Sequence, residues 1–234
     1  MYYFLGRIFI RIFGKLIEGI QRTTKGLHYQ VNQKAVDESA NYALNNFSEA
    51  MIFQLREDLW EYCINKVPNL RSEGGVIAEF GVWKGKSINY FAKKCPPATV
   101  FGFDSFEGLE EDWYGWKLSK GTFSTSGKPP KCAKNVQLFK VWFEDTVPVF
   151  LEQLEDTQIQ ILHMDADTFK PTSYVLNKLS ANLGRGTIVI FDEYFGYTNW
   201  KLHEFKAWQE LAKSQNIEYR YIGYTDKQVA VEIL

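Results

Sequence analysis

The stretch Val76-Ile77-Ala78-Glu79-Phe80-Gly81-Val82-Trp83-Lys84-Gly85-Lys86-Ser87 decides how this chain folds. A short, nearly all-apolar run over Val76–Gly81 has the length and composition of a strand buried on both faces. It breaks at Gly81, and a second glycine at Gly85 leads into a helical pattern over 86–94. Strand, glycine turn and helix in that order form the opening unit of a parallel α/β sheet.

Outward from this unit, the same alternation repeats toward the C-terminus. Candidate strands cover Thr99–Asp104, Val136–Trp142, Ile159–Asp165 and Thr187–Asp192, with helical segments near 146–155, 172–182 and 200–214. Only Thr225, Asp226 and Lys227 separate the last two strands, Glu218–Tyr224 and Gln228–Ile233. That link is too short for a parallel crossover, so this pair is expected to be antiparallel. The result is a Rossmann-like, doubly wound α/β fold: a mainly parallel seven-stranded sheet ending in an antiparallel hairpin.

Toward the N-terminus, residues 33–47 and 48–67 carry apolar residues at helical spacing, and Ser48 reads as the start of the second helix. Residues 23–70 thus form a helical preface to a main domain over 71–234. The segment 1–22 is apolar but interrupted at every fourth position by Arg7, Arg11 and Lys15, which places the cations on one stripe of an amphipathic helix. Residues 1–20 are therefore suited to peripheral contact with an anionic membrane surface, or to packing on the domain or a partner subunit. No run reaches the roughly 20 apolar residues that span a bilayer.

Composition narrows the function. The 234 residues carry a formal net charge of −1, which gives no global field for nucleic acid. The three cysteines, Cys63, Cys95 and Cys132, have neither metal nor redox spacing and fit a reduced, cytoplasmic compartment. A homo-oligomeric state is expected.

The chemistry sits at the ends of the strands, where open α/β sheets bind ligands. Gly81 and Gly85 let the backbone approach a ligand closely, and the helix from Lys86 points its N-terminus at the same place. Two glycines preceded by Glu79 differ from the three-glycine pyrophosphate cradle, and the carboxylate suits a cationic nucleoside. Asp104, 19 residues after Gly85, ends the second strand and either accepts ribose hydroxyl protons or caps the following turn. The loop Trp142-Phe143-Glu144-Asp145 lies beside the base, or Asp145 caps the next helix. Asp165, Asp167, Asp192 and Glu193 close the fourth and fifth strands. Like charges this close are unfavourable unless offset, and a hard cation such as Mg²⁺ offsets them with oxygen ligands alone. His163 reads as core. His203, early in the helix after the fifth strand, is a second site candidate.

At these residues the chain resembles the macrocin-type (TylF-type) O-methyltransferases. The resemblance runs from about Glu79 to Tyr194, through Glu79-Phe80-Gly81-Val82 with Gly85 and Ser87, Asp104-Ser105-Phe106, Trp142-Phe143-Glu144-Asp145, Met164-Asp165-Ala166-Asp167 and Asp192-Glu193-Tyr194. It implies a class I methyltransferase fold, S-adenosylmethionine as methyl donor and Mg²⁺ on Asp165, Asp192 and Glu193. The cofactor would be held by Glu79, Phe80, Gly81, Val82, Gly85, Ser87, Asp104, Ser105, Phe106, Phe143, Asp145 and Asp165. The acceptor is expected to be a small molecule, a hydroxyl of a sugar or glycosylated compound. Asp165, then His203, is the candidate general base. The chain departs from the family at Asp192-Glu193, where two aspartates are usual, and at Phe169, where tyrosine is. The aromatic stretch 106–131 reads as a lid over the acceptor or as an excursion packed on its own aromatics. The competing readings are a metal-independent methyltransferase and a non-catalytic protein of the same fold at a membrane surface.

Overall fold

The computed structural model describes Lys15 and residues 26–234; apart from Lys15, the amphipathic helix expected over 1–22 lies outside the described residues. The elements are α1 (Leu27–Asn46), β1 (Met51–Ile52), α2 (Arg56–Lys66), β2 (Val76–Phe80), α3 (Lys86–Lys94), β3 (Thr99–Asp104), β4 (Val136–Lys140), α4 (Phe143–Leu154), β5 (Ile161–Met164), α5 (Phe169–Leu179), β6 (Ile188–Phe191), α6 (Glu204–Gln215), β7 (Tyr219–Tyr224) and β8 (Val229–Ile233).

They build one sheet in the order β1-β7-β8-β6-β5-β2-β3-β4. All neighbours pair in parallel except β8, which is antiparallel to both β6 and β7. The seven expected strands are present, and an eighth, β1, pairs with β7 through Met51 and Ile52. This corrects the helix expected from Ser48. The apolar spacing that includes Ile52 and Leu55 does not mark a buried face there: Met51, Ile52 and Leu55 are all exposed. Backbone pairing with the edge of β7 fixes the segment instead, and the helix starts only at Arg56.

Strand residues alternate between two apolar cores. Ala78, Phe80, Leu162, Met164, Val189 and Phe191 face a core closed by α1, α4, α5 and α6. Ile77, Ile161, Ile188 and Ile190 face the other, closed by α2 and α3 through Leu59, Trp60, Ile88 and Phe91. This period of two decides which strand-end side chains meet. The order reverses at β2, whose successor β3 lies on one side while β5 lies on the other, and a crevice opens there beyond the strand ends. Among the described residues no helix is long and apolar enough to cross a membrane.

Candidate active site

The crevice is a cavity of about 430 Å³, within the range of small-molecule sites. One wall is the turn after β2. Gly81 has φ +98°, and a Cβ there would lie 1.8 Å from the carbonyl oxygen of Asp165, so only glycine lets β2 and the β5 loop cross. Gly85, at φ +75°, caps α3.

Asp104 braces this turn. Its Oδ2 accepts the N–H groups of Val82 at 3.0 Å and Trp83 at 2.6 Å, while Oδ1 accepts Phe106 N–H at 2.6 Å. The capping reading of Asp104 is seen directly, and the carboxylate also lines the cavity. Ser105, Val82, Ser87 and Phe143 line it as well, together with Trp83 and Trp142.

The acidic wall comes from the loops after β5 and β6. Asp165, Asp167 and Glu193 each bring a carboxylate oxygen within 4.8 Å of the other two. Burial, then the neighbouring negative charges, push all three well above the ordinary carboxylate range. Glu193 Oε2 is buried and, among the described residues, has no hydrogen-bond partner. A cluster of mutually repelling acids with an unpaired buried oxygen fits a hard cation.

Asp192 departs from the expected ligand set. It reaches the cavity wall beside the other three, but its Oδ1 is engaged by His163 and Gln228: His163 Nε2 lies 3.6 Å from that oxygen, and Gln228 Nε2 donates to it. The reason is the strand alternation, which sends Asp192 toward the α2/α3 side of the sheet. Asp167, outside the set that the resemblance implies, takes the third place.

Glu79 is turned away. It is fully buried, is the cross-strand partner of His163, and does not line the cavity. His163 Nδ1–H donates to Glu79 Oε2 at 3.1 Å, and Ser87 Oγ donates to Glu79 Oε1 at 3.0 Å. Burial alone would pull His163 down, but the carboxylates of Asp192 and Glu79 outweigh it and hold the pKa at about 9. His163 thus lies buried between the carboxyl groups of Glu79 and Asp192, which favour its protonated form although burial raises Glu79 itself, and it is walled by Trp60 and Phe91; it is not a purely apolar core residue.

Other expected site residues also fall outside the cavity wall. Phe80 stacks on Phe103 in the core at 4.3 Å, and Gly85 acts through the backbone alone. Phe106 is buried, and its carbonyl accepts the N–H groups of Thr125 and Gly127, anchoring the aromatic excursion. Asp145 sits exposed in the first turn of α4, and its neighbour Glu144 faces the cavity instead. His203 is the clearest correction. Its Nε2–H donates to the carbonyl of Tyr114 at 2.9 Å, its ring packs against Trp113 and Tyr197, and burial lowers its pKa. It supports the excursion and is absent from the cavity lining. The excursion packs partly on its own aromatics, with Trp113 and Trp116 against Tyr197, while Leu109 and Phe123 line the cavity.

One contributor gave no sequence signal. Glu204, fully buried at the start of α6, accepts the N–H of Glu193 with Oε2 at 3.0 Å and that of Ala166 with Oε1 at 3.3 Å. It holds together the two loops that carry the acids.

A sequence model for methyltransferase domains matches residues 78–194. Among solved structures, the chain is similar to CalS11, a calicheamicin methyltransferase, at 24% identity and a TM-score of 0.61, over 76% of this chain and 77% of that one. An apo structure of CalS11, described as a TDP-rhamnose 3′-O-methyltransferase, aligns at 22% identity and a TM-score of 0.55, over 76% and 78%. The O-methyltransferase NovP aligns at 20% identity and a TM-score of 0.59, also over 76% and 78%. No curated protein sequence matches the chain.

Proposed function

The chain belongs to the family of methyltransferase domains and is an S-adenosylmethionine-dependent methyltransferase, and from that premise we propose that it methylates a hydroxyl of a sugar or glycosylated small molecule with the help of Mg²⁺. The observation that carries this reading is the convergence of Asp165, Asp167 and Glu193 to within 4.8 Å beside the glycine turn.

Asp104 lies at the end of β3, where an acid serves ribose hydroxyls. Asp165 belongs to both walls: its backbone crosses Gly81 and its carboxylate joins the acid cluster. The cofactor would supply an electrophilic methyl on a sulfonium, and the cavity would have to bring acceptor and cofactor within the reach that transfer requires. Asp165, Asp167 and Glu193 would hold Mg²⁺, whose charge would lower the pKa of an acceptor hydroxyl. Asp165 is our candidate to accept the hydroxyl proton, since its carboxylate faces the cavity beside the glycine turn. Aromatic walls from Trp83, Phe123 and Trp142 suit the apolar face of a sugar ring and exclude water. CalS11, which shares this fold, is described as a TDP-rhamnose 3′-O-methyltransferase, and that activity motivates the choice of a sugar acceptor.

The test is to titrate the full chain with S-adenosylhomocysteine and Mn²⁺ by calorimetry, then assay sugar acceptors with and without EDTA. Cofactor binding combined with EDTA-sensitive methyl transfer is expected. Transfer unchanged in EDTA would sink the metal role.

A further inference from the structure

The cavity wall carries seven carboxylates, of Asp104, Glu110, Glu144, Asp165, Asp167, Asp192 and Glu193, against three cations, Arg56, Lys84 and Lys86. A ligand with both charges must place its anionic end at one of the three. Lys86 is already paired with Glu57. Lys84 lies over the ring of Trp83, 4.3 Å from its centroid, at the exposed rim.

Arg56 is exposed like Lys84, but the ring it covers is buried. Its guanidinium sits 5.3 Å from the centroid of the buried Trp60 ring, and among the described residues it forms no ion pair. A guanidinium over an aromatic face is attracted to the ring and keeps its N–H fork available to an anion. Trp60 is itself fixed, since its Nε1–H donates to Gln228 Oε1 at 3.0 Å, and Gln228 in turn holds Asp192. Arg56 is also the first residue of α2, whose N-cap, Leu55, provides no side-chain acceptor. The positive end of the helix dipole therefore adds to the charge of the side chain.

Position selects the ligand group. Asp104 ends β3 and Asp192 follows β6, three strands apart in the order β3-β2-β5-β6. At about 4.8 Å per strand that is roughly 14 Å. With its ribose at Asp104, the cofactor would extend past Gly81 toward Asp192, and Arg56 is a charge neighbour of Asp192. The ammonium and sulfonium suit the carboxylates, whereas the methionine carboxylate is repelled by them.

We propose that Arg56, held on Trp60 at the start of α2, binds the methionine carboxylate of S-adenosylmethionine. Arg56 thereby sets the amino-acid end of the cofactor, just as Asp104 sets the ribose end. The assignment rests on the cofactor reading of the cavity and extends the site to a residue outside the span matched by the family.

The test is calorimetry on the full chain with two probes, S-adenosylhomocysteine and 5′-methylthioadenosine, which keeps the nucleoside but lacks the amino-acid end. Arg56→Gln is expected to weaken S-adenosylhomocysteine at least about tenfold, the loss of a charge-assisted hydrogen bond, and 5′-methylthioadenosine less than about twofold. Arg56→Lys should fall between wild type and Arg56→Gln for the first probe. Equal weakening of both probes would mean a general structural loss and overturn the proposal. Unchanged S-adenosylhomocysteine binding with loss of a pyrophosphate-binding signal would also overturn it, assigning Arg56 to an anionic acceptor. Failure of the wild type to bind either probe would instead remove the cofactor reading beneath it.

Discussion

Glu204 holds the backbone N–H of Glu193 with one carboxylate oxygen, at 3.0 Å, while its other oxygen reaches Ala166 N–H between Asp165 and Asp167. One buried side chain thus fixes the spacing of the three clustered acids without belonging to the cluster. Glu204→Ala leaves two buried N–H groups unpaired, which costs roughly 2–4 kcal/mol. Because the loops lose their common anchor, Mn²⁺ affinity should also drop by about 10–100-fold, as when a supporting group is removed from a metal site. Urea unfolding and Mn²⁺ titration on the same variant check both parts. Weakened folding with unchanged metal affinity would show that the acids hold their own spacing.

The four strand-end acids should separate into two classes. Asp165→Asn, Asp167→Asn and Glu193→Gln each remove a clustered ligand oxygen and are expected to weaken Mn²⁺ binding by more than about tenfold. Asp192→Asn should spare most of that affinity and cost stability instead, because it leaves the His163 imidazolium with one carboxylate. Calorimetric Mn²⁺ titration alongside thermal melts separates the classes. An Asp192→Asn protein that cannot bind metal would return Asp192 to the ligand set.

His163 makes stability depend on pH. Its pKa is raised from the ordinary 6.5 to about 9 in the folded protein. A raised histidine pKa means that the folded state binds the proton more tightly. Its contribution is therefore complete below pH 6.5 and is lost as pH rises through 9. The difference is about 3 kcal/mol. The raised acids Asp165, Asp167, Glu193 and Glu204 act with the same sign in metal-free protein, since they too are more protonated when folded. Melting temperature in EDTA should fall between pH 6.5 and 9, and His163→Asn should flatten part of that slope. A flat wild-type profile would be incompatible with a buried imidazolium.

Gly81→Ala should be among the most damaging single changes in the cavity wall. The added methyl needs φ +98°, a backbone conformation that alanine rarely adopts, and it meets Asp165 O at 1.8 Å. Neither obstacle can relax without parting β2 from the β5 loop, so a loss of roughly 2–5 kcal/mol is expected. S-adenosylhomocysteine binding should be lost with it, read by thermal melts and calorimetry. Wild-type affinity in a stable Gly81→Ala protein would contradict the close crossing.

The sequence by itself determined the layers and the place of the site. Short apolar runs broken at Gly81, Asp104, Asp165 and Asp192 fix where strands end, and the three-residue link at Thr225–Lys227 forces the antiparallel pair, because strand composition and loop length are local properties. The acid-rich mouth was legible for the same reason. Tertiary structure alone decided which way each acid points. Asp192 and Glu193 are neighbours in sequence and both reach the cavity wall, yet pleating puts Asp192 against His163 and Glu193 in the acid cluster. His163 meets Glu79, 84 residues away, only because β2 and β5 pair in that register. Glu204, Arg56 and the edge strand β1 carry no local signature, since each acts on atoms brought to it by distant parts of the chain.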